Sequence, residues 1–263
     1  MKRLSLHGTA VEISGKGLPV VLLHGVGLNQ SIWAGQVTAL KSGFQVITYD
    51  LLGHGRSAAV DTNAGLADWV SQLDVLVGDL ALEQFSLVGF SFGGLIAQAY
   101  AARHSCKIDR LVLMSTVYDR SEAERTSVQS RLDVARREGP RAIISAALSR
   151  WFSPEFAKAH PGTMHQYEAI LQGNDTVSFL SAYECFATAD RDLVGALATF
   201  DRASLAMTGD LDSGSTPAMA RKLAGMIPDG ECSIIAGGRH MMPVEMPDEV
   251  NSVLRQFLKK EGP

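Results

Sequence analysis

Six short, mostly apolar runs recur along this chain of 263 residues, and each is followed within two positions by Gly, Asp, Ser or Thr. A strand with one solvated face alternates apolar and polar residues, whereas a continuous apolar run suits a strand that is buried on both faces of a parallel sheet. The runs span residues 20–23, 46–49, 85–88, 111–114, 205–207 and 233–235. Helical periodicity is found at residues 66–80, 94–103, 216–226 and 249–259. This alternation predicts an α/β fold with a doubly wound, mostly parallel sheet.

The alternation fails once, in residues 117–199, where helical periodicity continues without a strand run and three prolines divide the segment into short helices. An insertion of this size after a central strand is typical of a helical cap over the carboxyl edge of the sheet, where open α/β sheets bind ligands. We therefore expect two domains. The core comprises residues 1–116 and 200–263, and the cap comprises residues 117–199.

A serine lies in a glycine-rich turn directly after the third apolar run. Residues 89–94 read Gly-Phe-Ser-Phe-Gly-Gly and are followed by a predicted helix. A strand-to-helix turn tight enough to project a side chain forces strained backbone angles and leaves room only for small neighbours. The pattern Gly-x-Ser-x-Gly in this context predicts a nucleophile elbow with Ser91 at its tip.

A serine hydroxyl needs a base to become a nucleophile, and the base needs an orienting acid. His240 follows the last apolar run and Asp212 follows the run before it, so both are expected at the same sheet edge as Ser91. Two other acids remain open as the orienting group, because Asp210 is two residues from Asp212 and Asp119 follows the run that ends at residue 114. We favour Asp212.

Several ordered motifs resemble those of the α/β-hydrolase superfamily, in its serine-nucleophile branch. Besides the elbow, they are His-Gly-Val-Gly at residues 24–27, Asp-Leu-Leu-Gly-His-Gly-Arg-Ser at 50–57, and the acid and histidine loops at 209–217 and 238–247. This resemblance covers nearly the whole chain. It implies Ser91 as nucleophile, His240 as general base and acid, and Asp212 as orienting acid. It also implies an oxyanion hole formed by the backbone N–H groups of Val26 and Phe92.

The predicted cap resembles that of 3-oxoadipate enol-lactonases and closely related esterases, on residues 150–156, 183–185 and 190–193. The chain departs from that pattern in two places. Leu52 stands where enol-lactonases usually carry arginine, and the acid loop from residue 212 to the proline at 217 is longer than theirs. The resemblance implies hydrolysis of a small carboxylic ester or lactone.

Two residues are predicted to border the substrate pocket. Trp151 precedes a turn that ends in proline, and Met241 is adjacent to His240 and offers an adaptable apolar surface. Because the cap helices are rich in aromatic and aliphatic side chains, we expect a closed, small pocket that excludes long acyl chains.

Three other functions remain open. One is hydrolysis of a C–C bond in a vinylogous diketone by the same triad, and another is cofactor-free perhydrolysis, which is associated with elbows similar to this one. The third is a ligand receptor that retains the triad. A receptor predicts an exposed apolar patch on the cap, whereas the cap arginines, among them Arg120 and Arg131, are typical of a solvated face.

Composition restricts the partners. The 24 basic and 28 acidic residues give a formal net charge of −4 and form no blocks, so neither nucleic acid nor an acidic membrane is expected to bind. Three widely spaced cysteines fit neither a disulfide framework nor a metal knot, which favours a cytoplasmic location. We expect a small-molecule substrate, with no metal or organic cofactor. The oligomeric state is left open.

Overall fold

The computed structural model describes residues 1–62 and 64–259, and within this range eight strands form one sheet. The strands are β1 Lys2–Leu6, β2 Thr9–Ser14, β3 Leu18–Leu23, β4 Phe44–Tyr49, β5 Phe85–Phe90, β6 Ile108–Met114, β7 Ala203–Gly209 and β8 Gly230–Ile235. Their order is β1-β2-β4-β3-β5-β6-β7-β8. Only β2 pairs antiparallel with its neighbours β1 and β4, and every other pair is parallel. The predicted doubly wound, mostly parallel sheet is confirmed.

Helices cover both faces of this sheet. On one face, α2 (Leu66–Asp79), α3 (Phe92–Arg103) and α9 (Pro217–Met226) share a core with side chains of the central strands. On the other face, α1 (Ala34–Leu40) and α11 (Pro247–Lys259) close a second core. A further short helix, α10, spans Met242–Glu245. None of the helices in the described part of the chain is both long and apolar enough to cross a membrane.

Five further helices lie in the segment 117–199, all of whose residues are described: α4 Glu122–Glu138, α5 Ile144–Trp151, α6 Pro154–Ala159, α7 Pro161–Gln172 and α8 Thr176–Thr188. We call this segment the helical insertion. Proline sits at the first position of α6 and of α7, where its missing N–H costs no hydrogen bond. The insertion joins β6 to β7, which are neighbours in the sheet, with β8 as the edge strand beyond β7.

The turn between β5 and α3 brings several backbones close together. A Cβ atom on Gly89 would overlap the carbonyl oxygen of Gly93, and one on Gly94 would overlap the side chain of Thr116. The Thr116 hydroxyl also donates a 2.8 Å hydrogen bond to the carbonyl of Ser91. Glycine is therefore required at these positions by close packing and not merely by flexibility.

We predict that Gly89→Ala lowers the free energy of unfolding by about 1–3 kcal/mol, because the added methyl group meets backbone atoms that cannot move aside. Gly225→Ala is the matched control. No heavy atom outside its own helix lies within 4 Å of a Cβ at Gly225, so the change should leave stability unaltered or raise it by about 0.5–1 kcal/mol. Urea denaturation measures both. Equal stabilities of the two variants would contradict the packing argument.

Candidate active site

Ser91 occupies the tip of the turn between β5 and α3. Its backbone has φ 55° and ψ −114°, a conformation that non-glycine residues rarely adopt. The Ser91 N–H donates a 2.9 Å hydrogen bond to the carbonyl of Met114, which ties the turn to the end of β6. Its side chain faces a cavity at the carboxyl edge of the sheet. The strained turn thus places a hydroxyl where a ligand can reach it.

His240 lies between the serine and an aspartate. Its Nε2 atom is 3.2 Å from Ser91 Oγ, and its Nδ1 atom is 2.8 Å from Asp212 Oδ2. A carboxylate only accepts hydrogen bonds, so Nδ1 carries the hydrogen and Nε2 presents a lone pair to the serine hydroxyl. This arrangement can remove the serine proton and hold the resulting imidazolium beside a negative charge.

Asp212 is buried, and both of its carboxylate oxygens accept hydrogen bonds. Its Oδ1 atom accepts hydrogen bonds from the backbone N–H groups of Gly214 and Ser215, both at 2.9 Å. Burial acts to raise the pKa of this carboxyl, but the His240 imidazole and the two N–H donors outweigh it and hold the pKa below its usual value. The side chain is therefore an anion when His240 accepts a proton.

The two alternative acids lie elsewhere. Asp119 forms an exposed ion pair with Lys222 at 3.0 Å. Asp210 accepts a 2.7 Å hydrogen bond from the backbone of Gly237 and shapes the loop after β8. Of the three candidates, the structure brings only Asp212 to His240.

The loop that carries Val26 is held beside the elbow. His24 donates from Nδ1 to the carbonyl of Gly25 at 2.8 Å, and its Nε2 accepts from the Leu51 N–H at 2.9 Å. Burial, reinforced by His54, lowers the pKa of His24 well below its usual value, so the ring is neutral and structural. The Gly93 N–H donates to the His24 carbonyl at 3.1 Å and joins this loop to α3.

Val26 and Phe92 flank the serine from two sides. Val26 lines the cavity, in a turn closed by a 3.2 Å hydrogen bond from the Leu28 N–H to the Gly25 carbonyl. Phe92 is the first residue of α3, so its N–H has no acceptor within the helix. Its ring is fully buried and packs against the ring of Trp69, with the centroids 5.0 Å apart.

The cavity over Ser91 has a volume of about 300 Å³, at the small end of the range for ligand sites. Trp151 lines it as predicted, with its ring centroid 5.8 Å from that of His240. Met241, predicted beside it, does not line the cavity. Its side chain is fully buried in the second core, and its N–H donates to the Trp151 carbonyl at 3.0 Å.

Three arginines that the sequence did not assign to the site also line this cavity: Arg120, Arg131 and Arg150. The expectation of a solvated face on the insertion is wrong for Arg120, whose side chain is 3% exposed, and for Arg131, which is partly buried. Helical periodicity could have placed Arg131 near the apolar face of α4. Among the described residues, no group of three or more His, Cys, Asp or Glu side chains is arranged to hold a metal ion.

Comparison with known proteins identifies the family of the chain. The profile of the alpha/beta hydrolase family matches residues 20–253. The chain belongs to this family. It is 28% identical, over 93% of its length and 92% of the relative, to (E)-2-((N-methylformamido)methylene)succinate hydrolase of Acinetobacter baylyi. It is 24% identical to 3-oxoadipate enol-lactonase 2 of the same organism, over 92% of this chain and 88% of that protein. The solved enol-lactonase of Burkholderia xenovorans LB400 superposes with a TM-score of 0.88 and 27% identity, covering 98% of this chain and all of that one.

We predict that Asp212→Asn lowers kcat for ester hydrolysis by about 10³- to 10⁴-fold, because the amide favours the wrong imidazole tautomer. Asp119→Asn and Asp210→Asn are matched controls, since each removes one charge from a loop near the same sheet edge without touching His240. We expect each control to reduce kcat less than tenfold. Steady-state kinetics of the three variants tests which aspartate orients His240. A loss of about 10³-fold or more in kcat for Asp119→Asn would overturn the choice of Asp212.

Proposed function

We propose that this chain hydrolyses a small carboxylic ester or lactone through an acyl-enzyme on Ser91. The observation that carries the proposal is the continuous hydrogen-bonded series from Ser91 through His240 to Asp212, with the serine facing a small cavity. A serine, a neutral imidazole and a buried carboxylate in this order form the machinery of acyl transfer.

In the proposed first step, Ser91 Oγ attacks the substrate carbonyl carbon while its proton passes to His240 Nε2. The carbonyl oxygen then carries a negative charge in the tetrahedral intermediate. In this proposal the backbone N–H groups of Val26 and Phe92 donate to it, and the N-terminal end of α3 adds favourable potential. Loss of one such donor typically costs about 3 kcal/mol of barrier.

The intermediate collapses when the C–O bond to the leaving alcohol breaks and His240 returns its proton to the alcohol oxygen. In a lactone this oxygen stays tethered to the acyl group. Water then loses a proton to His240 and attacks the acyl carbon, and the reverse transfer regenerates the Ser91 hydroxyl and releases the acid. Asp212 stabilises the imidazolium in both halves of the cycle.

We propose that the helical insertion, residues 117–199, acts as the cap and that residues 1–116 and 200–263 form the catalytic core. Two observations support this division. Most of the side chains that enclose the cavity above Ser91 come from the insertion. The insertion is also tied to the histidine loop, since the Ser153 N–H donates to the carboxylate of Glu245 at 3.1 Å.

The other functions have less support. C–C hydrolysis and perhydrolysis would use the same triad, but no residue observed at the site favours either over ester hydrolysis. A receptor would need an exposed apolar patch. In the described insertion, Val177 and Val194 are the large hydrophobic side chains that are more than a third exposed, at 45% and 51%. The cytoplasmic location remains a prediction from the cysteines.

Ser91→Ala is the direct test of the nucleophile. We expect kcat toward a short p-nitrophenyl ester to fall by about 10⁴-fold or more, because triad members act as one unit. The free energy of unfolding should change little, since the hydroxyl adds no core contact. Retention of most of the activity in a folded Ser91→Ala variant would refute the acyl-enzyme mechanism.

Acyl-chain length tests the size of the cavity. We predict hydrolysis of p-nitrophenyl acetate to butyrate, with kcat/KM at least about tenfold lower for the decanoate, because each accommodated methylene gains only about 1 kcal/mol whereas steric exclusion costs more. The series is measured at matched concentrations below micelle formation. An activity that keeps rising to the decanoate would indicate an open groove instead of a closed cavity.

A further inference from the structure

The wall of the cavity that the helical insertion forms carries an excess of positive charge. Three guanidinium groups line it, from Arg120 before α4, Arg131 within α4 and Arg150 near the end of α5. The chain as a whole has a formal net charge of −4. The positive charge is therefore a local property of this wall and does not reflect a basic protein.

Arg120 is neutralised within the protein. Its Nη1 atom lies 2.9 Å from Oδ1 of Asp190, which is fully buried, and Arg125 reaches the same oxygen at 3.1 Å. The Arg120 guanidinium also lies over the ring of Phe186, 4.6 Å from its centroid. These contacts explain Arg120 as part of the packing between the start of α4 and the end of α8 within the insertion.

Arg131 and Arg150 have no such counter-charge. Arg131 donates from Nε to the Tyr183 hydroxyl at 3.2 Å and from Nη1 to the Ser127 hydroxyl at 2.8 Å. Arg150 donates from Nη1 to the Ala146 carbonyl at 2.9 Å. All three acceptors are neutral. Neither guanidinium lies within ion-pair distance of a carboxylate in residues 1–62 and 64–259.

The two acidic side chains that line the cavity form hydrogen bonds with residues other than Arg131 and Arg150. Glu124 accepts hydrogen bonds from the N–H and hydroxyl of Ser121, at 2.7 and 2.8 Å, as part of the N-terminal cap of α4. Asp212 is bound to His240. Arg131, Arg150 and Ser91 thus line the same cavity, and neither lining carboxylate forms an ion pair with either of these two arginines.

The two arginines also disfavour each other. Burial lowers the pKa of Arg150, and the neighbouring charge of Arg131 lowers it further. An arginine stays protonated in proteins, so the repulsion between the two charges persists in the absence of a bound anion. A bound anion would remove it. The hydrogen bonds to Tyr183 and Ser127 hold the Arg131 guanidinium in one orientation before an anion binds. Less conformational entropy is therefore lost on binding.

We propose that Arg131 and Arg150 form a carboxylate-binding subsite, and that the substrate is an ester or lactone bearing a second, free carboxylate. The planar guanidinium fork matches the two oxygens of a carboxylate. Arg131, Arg150 and Ser91 line one cavity, so a carboxylate bound to the two arginines would orient the scissile carbonyl through the far end of the substrate. This inference rests on the proposed function, which names the bond that is broken.

The test compares two esters of equal shape. Monoethyl succinate carries a carboxylate where ethyl 4-methylpentanoate carries an isopropyl group, and proton release reports hydrolysis of both. We expect kcat/KM to be at least about tenfold higher for monoethyl succinate, because charge-assisted hydrogen bonds are the stronger kind. In Arg150→Gln, the ratio of the two kcat/KM values should fall about tenfold or more.

Arg137→Gln is the matched control. It removes an equal charge from α4, at a side chain that is 68% exposed and does not line the cavity. The ratio should stay at the wild-type value in this variant. Arg131→Gln should act as Arg150→Gln does, with thermal unfolding checked because its bonds to Tyr183 and Ser127 are lost. An unchanged ratio in a folded Arg150→Gln variant would overturn the subsite.

Binding to an inactive variant separates this inference from the proposed function. Titration of Ser91→Ala with monoethyl succinate should show an affinity that falls at least about tenfold in Ser91→Ala/Arg150→Gln. If this difference is found but wild type hydrolyses neither ester, the subsite stands and the proposed function fails. If the esters are hydrolysed but the two variants bind alike, the subsite fails and the proposed function stands.

Discussion

The strained backbone of Ser91 is the constraint on which the rest of the site depends. A non-glycine backbone conformation with φ 55° and ψ −114° costs about 1–3 kcal/mol and persists only where its surroundings enforce it. Here the enforcement comes from hydrogen bonds of the elbow to the end of β6 and to the loop after β3. Because those bonds need close backbone contact, Gly89 and Gly94 carry no side chain. The same bonds hold Val26 beside the nucleophile.

Sheet topology supplies the other two members of the proposed triad. In parallel strands the carboxyl ends share one edge, and β5, β6, β7 and β8 are consecutive neighbours. Asp212 follows β7 and His240 follows β8, so adjacent loops bring the acid to the base. The insertion leaves the same edge after β6. Trp151 then meets the His240 ring, and the backbone of residue 151 bonds to that of residue 241.

The parts of the structure set by local sequence were predictable, and those set by tertiary contact were not. Apolar runs marked the six parallel strands, and the elbow motif marked Ser91. The start of α4 was missed although Ser121 and Glu124 form a capping box, a signal visible as Ser-x-x-Glu. Met241 was misplaced because adjacency to His240 does not reveal which way a loop side chain turns. Arg150 was missed because its exposure depends on how α5 packs over the sheet.

The central claim is that Ser91 is a nucleophile activated by its place in the fold. The most direct measurement is intact-mass spectrometry after exposure to ethyl p-nitrophenyl methylphosphonate, with peptide mapping of the modified residue. We expect one phosphonyl group per chain, bound to Ser91 and accompanied by release of one equivalent of p-nitrophenol. We expect labelling to slow by orders of magnitude in His240→Ala, because the base is lost. A protein that stays unmodified, or that carries the adduct on another residue, would contradict the claim.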